Sequence, residues 1–450
     1  MQVLILGGGT VGSSIAQRLS KSHHVTVVES NPARKSTLDT EVDARVIIGN
    51  ATDGATLFQA GASSADVCLA LTGSDEANLV GASIAKAMGA KRTAARIFAP
   101  WYRETLAFDY RRQFKIDRLL SLEYMTAMEL ACHVHEPGAA LIENFASGEL
   151  EMQDVVITRA SDMLGKALCE LQLPPEVRVA AIQRGESVWI ASAQDKLELE
   201  DHVTLVGARE QVESLKKRLI THMGSRRNVV IVGGGETGLN LALVLQRRDH
   251  KINLIERSQE RCEYLAQRLT KKGAQVIAGN GRSSRLLDEY GVGSDTTFVA
   301  CTGNDEFNII SCVEAMSLGV TNVLAVVNRP DYATVIDRLG ITEVVNPYEI
   351  MGRQVEGFMH RGALLFQNST LLGGSLEVIE LTALPGSPIT ETSLRDLRTP
   401  KPTLFAAVIR ENRVLIPNAK FVARPNDVMV ALTTSNKIAE TVALFEPTLR

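Results

Sequence analysis

Two glycine clusters are the places where this sequence can do chemistry. Gly7-Gly8-Gly9-Thr10-Val11-Gly12 and Gly233-Gly234-Gly235-Glu236-Thr237-Gly238 both read Gly-x-Gly-x-x-Gly. Each follows an apolar run, Val3 to Leu6 and Val229 to Val232, and opens a helical pattern. The next apolar run ends in an acid in both cases, Glu29 and Glu256, 22 and 23 residues beyond the first glycine. That is the spacing of a dinucleotide fingerprint. Gly7 permits the tight turn, Gly9 lets a phosphate approach the backbone, and Gly12 lets the helix pack closely on the strand. The free N–H groups and the positive end of the helix then hold the phosphates. Glu29 and Glu256 can accept hydrogen bonds from a ribose and would repel a 2′-phosphate, which favours NAD over NADP. ATP, ADP and AMP, whose ribose hydroxyls are also free, suit the same site.

Further candidates lie where later strands end, the ligand-binding edge of an open α/β sheet. Asn50-Ala51, and Asn280-Gly281 in the second cluster's half, are placed to meet the adenine. Thr72-Gly73 and Thr302 are placed to line the phosphate or distal-ribose side, and Arg96 to pair with a phosphate. The halves differ: Val326 stands where Arg96 would recur, Arg329 lies where the first half has Ala99, and Ser283 replaces Asp53. The two sites are therefore expected to differ in ligand preference. Asp75-Glu76 and Asp305-Glu306 read most simply as first-turn acids favoured by the helix dipole. Cys132-His133-x-His135-Glu136 reads as a polar helix end rather than a metal site. No His/Asp or Ser/Lys pairing is shared by the halves, and no histidine recurs in the second glycine-loop unit, so no acid–base catalyst is expected.

These landmarks belong to an internal duplication. The glycine clusters lie at an offset of 226; Gly49-Asn50 and Thr72-to-Asn78 recur as Gly279-Asn280 and Thr302-to-Asn308 at 230. Ala180-to-Arg184 matches Ala406-to-Arg410, and Asp201-His202-Val203 matches Asp427-Val428-Met429, again at 226. Short β-branched runs alternating with helical stretches imply a doubly wound parallel sheet in each half. Closer-spaced strand signals follow, as of a small α+β domain. The expected boundaries are 1–120 and 225–345 for two Rossmann-type domains, 121–140 and 346–366 for connecting helices, and 141–224 and 367–450 for two small C-terminal domains. A net charge of -4 gives no general attraction to nucleic acid or anionic lipid. No apolar run is long enough to span a bilayer, Met1 to Gly7 reads as a first strand rather than a signal peptide, and six scattered cysteines suit reduced thiols. A cytoplasmic protein is expected.

With both Gly-x-Gly-x-x-Gly units, Glu29, Glu256, Thr72-to-Asn78, Thr302-to-Asn308, Arg96, and the Asp201 and Asp427 turns in hand, the whole chain resembles a known family. It is similar to the peripheral regulatory subunits of Trk-type potassium-uptake systems, built from KTN (RCK) domains. The resemblance implies a homo-oligomeric ring, a dimer or tetramer, on the cytosolic face of a membrane potassium-transporting subunit. It implies binding of NAD(H), and of ATP or ADP, at Gly7, Gly9, Thr10, Val11, Gly12, Glu29, Asn50, Ala51, Thr72 and Arg96. The second-half matches are Gly233, Gly235, Glu236, Thr237, Gly238, Glu256, Asn280 and Thr302. Leu122 to His135 and Tyr348 to His360 fall where the family's crossover helix packs against another Rossmann domain. A regulator of another cation channel or exchanger, or an NAD-dependent oxidoreductase, is the alternative.

Overall fold

The computed structural model describes the chain except residues 104–107, 135–140, 146–149, 158–162, 175, 186, 220–227, 247–249, 271–272, 333–335, 337, 360–363, 372–375, 411–412 and 448–450. Among the described residues the chain forms four sheets. The first holds β1 (Gln2–Leu6), β2 (His24–Glu29), β3 (Arg45–Ile48), β4 (Val67–Ala70), β5 (Arg92–Arg96) and β6 (Arg118–Leu120), all parallel. Its spatial order is β3-β2-β1-β4-β5-β6, so the order reverses between β1 and β4. A strand buried on both faces needs a continuous apolar run, and Val3, Leu4, Ile5 and Leu6 of β1 are all buried.

The first small domain follows: β7 (Leu141–Phe145), β8 (Leu150–Val156), β9 (Val177–Arg184), β10 (Ser187–Ile190) and β11 (His202–Ala208) form an antiparallel sheet ordered β10-β9-β11-β8-β7. The second half then repeats both patterns. Strands β12 (Asn228–Val232), β13 (Lys251–Glu256), β14 (Ala274–Ala278), β15 (Thr296–Ala300), β16 (Asn322–Val326) and β17 (Glu343–Val345) give the parallel order β14-β13-β12-β15-β16-β17. Strands β18 (Leu364–Leu371), β19 (Leu376–Thr382), β20 (Thr403–Arg410), β21 (Arg413–Leu415) and β22 (Val428–Thr433) give the antiparallel order β18-β19-β22-β20-β21. The duplication read from the sequence is thus a duplication of topology, strand for strand.

The chain divides into two compact units. Met1–Leu130 with Asn228–Val355 form one, and Ala131–Arg227 with Glu356–Arg450 the other. Within the first unit the two Rossmann copies are tied by Arg18 to Glu349 (2.8 Å), Arg103 to Asn240 (2.9 Å) and Arg118 to Gln354 (3.1 Å). The helices Leu122–Val134 and Pro347–Met359 are linked by Arg353 and Glu129 at 3.4 Å.

Within the second unit the two antiparallel sheets share one apolar core, with Met152 and Val206 from the first small domain and Val378 and Val430 from the second. The Asp201 and Asp427 turns are held by bidentate pairs. Arg184 Nε and Nη2 meet the Asp201 carboxylate at 2.7 and 2.9 Å, and Arg410 meets Asp427 at 2.9 and 2.7 Å. Both aspartates are buried, so the planar guanidinium fork supplies the compensation that a buried carboxylate needs.

Candidate functional site

The glycine loops lie at the carboxyl ends of β1 and β12, where the strand order reverses, which is the ligand-binding crevice of an open α/β sheet. The three glycines of each loop answer to different constraints. Gly7 has φ +100 and Gly233 φ +114, conformations that side chains rarely adopt, and a Cβ at either would fall 2.9 Å from the backbone at Thr72 or Cys301. A Cβ on Gly12 would lie 1.9 Å from the Gly7 carbonyl oxygen, and one on Gly238 1.9 Å from that of Gly233. These four positions are glycine because the protein itself has no room for more.

Gly9 and Gly235 are different. A Cβ at either would meet nothing within 4 Å. Gly9 sits at φ -64, ψ -174, ordinary extended backbone, as the N-cap of the helix Thr10–Leu19, and no side chain caps that helix. The first N–H groups of the helix therefore have no intrahelical or capping partner. They face a space that the protein leaves clear, the requirement for seating a phosphate. Val11 and Gly12 are buried, so they can offer a ligand only backbone; Thr10 is exposed.

Both predicted ribose acids stand beside their loops. Glu29, buried, accepts from the Gly8 N–H through Oε2 (2.8 Å) and from the Asn31 N–H through Oε1 (2.8 Å). Glu256 repeats this with the N–H groups of Gly234 and Ser258, each at 2.8 Å. Each carboxylate oxygen has lone pairs left to accept a ribose hydroxyl. The sequence spacing located these acids but not their second task, which is to fasten the middle of the glycine loop to the end of the neighbouring strand.

In the second copy these residues enclose a cavity of about 640 Å³, within the range of small-molecule sites. It is lined by Gly233, Gly235, Glu256, Asn280, Gly281 and Thr302 from the predicted set, with Cys301, Gly303, Asn304 and Phe307 among its other walls. Glu236, Thr237 and Gly238 lie at the start of the helix Glu236–Gln246. Glu236 pairs with Arg261 at 2.9 Å, and Arg261 also donates to the Gly234 carbonyl at 2.7 Å. The first copy has Thr10 where Glu236 stands, so the second loop carries a charged pair that the first lacks. Gly281 is pressed against Val232, where its Cβ would lie 2.2 Å from a methyl group; Ala51 is its buried counterpart.

Asn50 and Asn280 are exposed at the ends of β3 and β14. Their Oδ1 atoms accept from the N–H of Thr52 (2.9 Å) and of Arg282 (3.1 Å). Asp53 and Ser283 are both helix N-caps. Asp53 takes the N–H and hydroxyl of Thr56, and the Thr56 hydroxyl bond is the chief cause of its lowered pKa. Their difference between copies is thus an exchange of capping residues, not by itself a difference in ligand chemistry.

The repeated Thr72-to-Asn78 segment is a brace. Asn78, fully buried, accepts from the Thr72 N–H and hydroxyl, both at 2.7 Å, and donates to the carbonyls of Thr72 (3.1 Å) and Arg96 (3.0 Å). Asn308 does the same with Thr302 and Val326. Asp75 accepts from the N–H groups of Phe98 (2.7 Å) and Ala99 (3.0 Å), and Asp305 from those of Asn328 and Arg329 (both 3.0 Å). The motif therefore locks the end of β4 to the end of β5. It leaves Gly73 and Gly303 with open space where a Cβ would be.

Arg96 is buried. Its Nη2 donates to Glu123 Oε1 at 2.8 Å, its guanidinium lies 4.1 Å over the Phe98 ring, and its Nε has no partner. A phosphate reaching Arg96 would share it with Glu123. In the second copy Val326 and Tyr348 occupy the matching positions, so the Arg–Glu pair has been replaced as a pair. Sequence reading found Arg96 but missed Glu123. His135 and Glu136 lie outside the described residues, and among those described no group of His, Cys, Asp and Glu is arranged to hold a metal ion.

Two Rossmann units with glycine loops and ribose acids, each followed by a small antiparallel domain, define a tandem dinucleotide-fold protein. The TrkA-N domain family matches residues 3–109 and 229–347, and the TrkA-C domain family matches 152–220. The chain belongs to the TrkA family. It is 30% identical to the Trk system potassium uptake protein TrkA of Azorhizobium caulinodans, covering 100% of this chain and 99% of that one. It is 29% identical to a TrkA homolog of Archaeoglobus fulgidus, covering 99% and 100%. Among solved structures, the GsuK RCK domain superimposes with TM-score 0.60 at 18% identity, covering 98% of this chain and 95% of that one. The GsuK channel bound to NAD gives 0.60 and 18%, covering 98% and 79%. These last two likenesses concern the fold.

Proposed function

We propose that this protein is the nucleotide-sensing regulatory subunit of a membrane potassium-uptake system, without catalytic activity of its own. The observation that carries the nucleotide part is the clear space at Gly9 and Gly235 at the starts of their helices, the first without a side-chain cap, beside Glu29 and Glu256. Protein sterics explain every other glycine of the two loops and do not explain these. Two full-length relatives named as Trk potassium-uptake proteins support the transport part. Among the described residues no helix is long and apolar enough to cross a membrane, so a potassium path would have to come from a partner subunit.

NAD(H) is the first ligand to expect, with ATP or ADP on the same loops; a GsuK structure bound to NAD and another bound to ADP share the fold. Gly7, Gly9, Thr10, Val11, Gly12, Asn50, Thr72 and Arg96 would hold the nucleotide in the first copy, with Gly233, Gly235, Thr237, Gly238, Asn280 and Thr302 in the second. Regulation then follows from linkage: a nucleotide shifts the assembly only by its difference in affinity between two states. Calorimetric titration of the full chain with NADH, NAD, ATP and ADP tests the reading. Saturable binding of at least one supports it, and no binding of any of the four defeats it.

A further inference from the structure

The two Rossmann copies share their strand order, their ribose acids and their buried asparagine braces. A residue that differs between them at the cavity is therefore not a demand of the fold. Two such residues stand together in the second copy. At an offset of 230, Ala77 becomes Phe307 and Thr52 becomes Arg282. Phe307 lies in the first turn of the helix Asp305–Ser317. It packs against the core of the second sheet but is only partly buried. It is also a wall of the 640 Å³ cavity, which it shares with Gly279, Asn280 and Gly281 at the end of β14. Arg282, exposed, follows Gly281 directly, and its guanidinium is 5.7 Å from the centre of the Phe307 ring. The Arg96 guanidinium lies 4.1 Å over Phe98. Arg282 thus stands at the outer limit of a cation–π contact and does not lie against its ring. The first copy has neither group: Ala77 offers no π face, and the Thr52 hydroxyl is turned to Asn50 Oδ1 at 2.9 Å.

A nucleotide base is a planar π system that stacks on aromatic rings and on guanidinium planes. Asn280 and Gly281 are the residues that the sequence places against adenine, and the ring and the guanidinium adjoin them. We infer that Phe307 is the base platform of the second site, with the Arg282 guanidinium as a second contact for the base. The first site holds its base without a stack. This inference rests on the nucleotide reading and adds to it which residue sets the affinity of the second site. Both sites seat phosphate and ribose alike, through their glycine loops and ribose acids, so the base is where their grips part. The first copy shows that a small residue satisfies the fold at this helix position, which leaves the cavity as the reason for a ring at Phe307.

The test separates the sites in the full chain. Gly9→Asp puts a carboxylate into the clear space of the first loop and leaves the second site; Gly235→Asp does the converse. Each chain is titrated calorimetrically with NADH, NAD, ATP and ADP, with and without Phe307→Ala. The expected result is that Phe307→Ala weakens binding to the Gly9→Asp chain by roughly five- to 150-fold, the range for one lost base–aromatic stack. Binding to the Gly235→Asp chain should not change. Phe307→Leu keeps apolar bulk at the edge of the core but has no π face. It should shift affinity in the same direction, and it carries the test if alanine disturbs folding. Unchanged affinity in the Gly9→Asp chain overturns the inference. So does equal weakening in both chains, which would mean that Phe307 acts through the fold, and so does a Gly9→Asp chain that binds none of the four. In each of these cases nucleotide binding by the Gly235→Asp chain leaves the nucleotide reading standing, whereas no binding by the unmodified chain defeats both.

Discussion

Alanine at Gly9 and alanine at Gly12 should have opposite consequences, although the two residues are three apart in one loop. At Gly12 the new Cβ would lie 1.9 Å from the Gly7 carbonyl oxygen, with the Gly7 carbonyl carbon at 3.0 Å. Both are backbone atoms of a turn fixed by φ +100, so the overlap can be relieved only by moving helix from strand. Overpacking of this kind costs about 3 kcal/mol. The gain in helix propensity returns about 1 kcal/mol, leaving a net loss of about 2 kcal/mol and a fall in Tm of roughly 8 °C. At Gly9 the Cβ meets nothing, and φ -64 with ψ -174 is open to alanine. The loss of a glycine N-cap costs up to about 1 kcal/mol, and the reduced freedom of the unfolded chain offsets about 0.4–1 kcal/mol. Stability should therefore be nearly unchanged. The methyl group, however, would fill the space over the uncapped helix amides. Losing one charge-assisted amide bond to a phosphate costs about 1.5–3 kcal/mol, a weakening of roughly ten- to 150-fold in nucleotide affinity. Differential scanning calorimetry and isothermal titration on the two variants read both quantities. If Gly9→Ala melts like Gly12→Ala, or binds nucleotide as tightly as the parent, the assignment of that space to a phosphate is wrong.

Two further outcomes follow from the same geometry. Asn78→Ala removes four hydrogen bonds from a fully buried position and leaves the Thr72 and Arg96 backbone groups unsatisfied. It should destabilise the chain by about 3 kcal/mol, as should Asn308→Ala, and a loss below about 1 kcal/mol by denaturant titration would refute the bracing role. Burial raises the thiol pKa of Cys68, Cys301 and Cys312 to about 12, whereas Cys169 is exposed. The thiolate is the reactive form, so at pH 8 only about one in ten thousand of the three buried thiols is ionised. Peptide mapping after iodoacetamide should show Cys169 modified in the native chain and the other three only after unfolding; rapid native labelling of Cys301 would contradict its burial.

The fold was legible because the signals were strong and came twice. The runs at Val3 to Leu6 and Val229 to Val232 became central strands buried on both faces, the case in which an unbroken apolar run is decisive. Among the edge strands, the apolar runs of β3 and β10 were legible and others were not. Strands β6 and β17 are three residues long and half exposed, too short for a period to show. Strand β7, Leu-Ile-Glu-Asn-Phe, mixes polar and apolar residues without clean alternation. In the candidate site, Glu29 and Glu256 stood out by spacing from the glycines. The partners that hold them did not, since backbone amides leave no trace in residue types. Asn78 and Asn308 lay inside a visibly repeated segment, but the repeat alone gave them no role. Glu123 was hidden because the pair Arg96–Glu123 gives way to Val326 and Tyr348 in the second copy, so comparing the halves one position at a time revealed a lost arginine and not a lost ion pair.

Potassium uptake in cells lacking this protein is the most direct test of the proposed function. Rubidium influx would be measured in a deletion strain carrying the parent chain, the Gly9→Ala, Gly235→Ala double variant, or no copy. The account predicts that deletion changes the influx and that the parent restores it. It also predicts that the double variant, folded and present at equal amount, fails to restore the response of influx to cellular nucleotide levels. Influx that is unchanged by deletion, or a double variant that responds as the parent does, would contradict it.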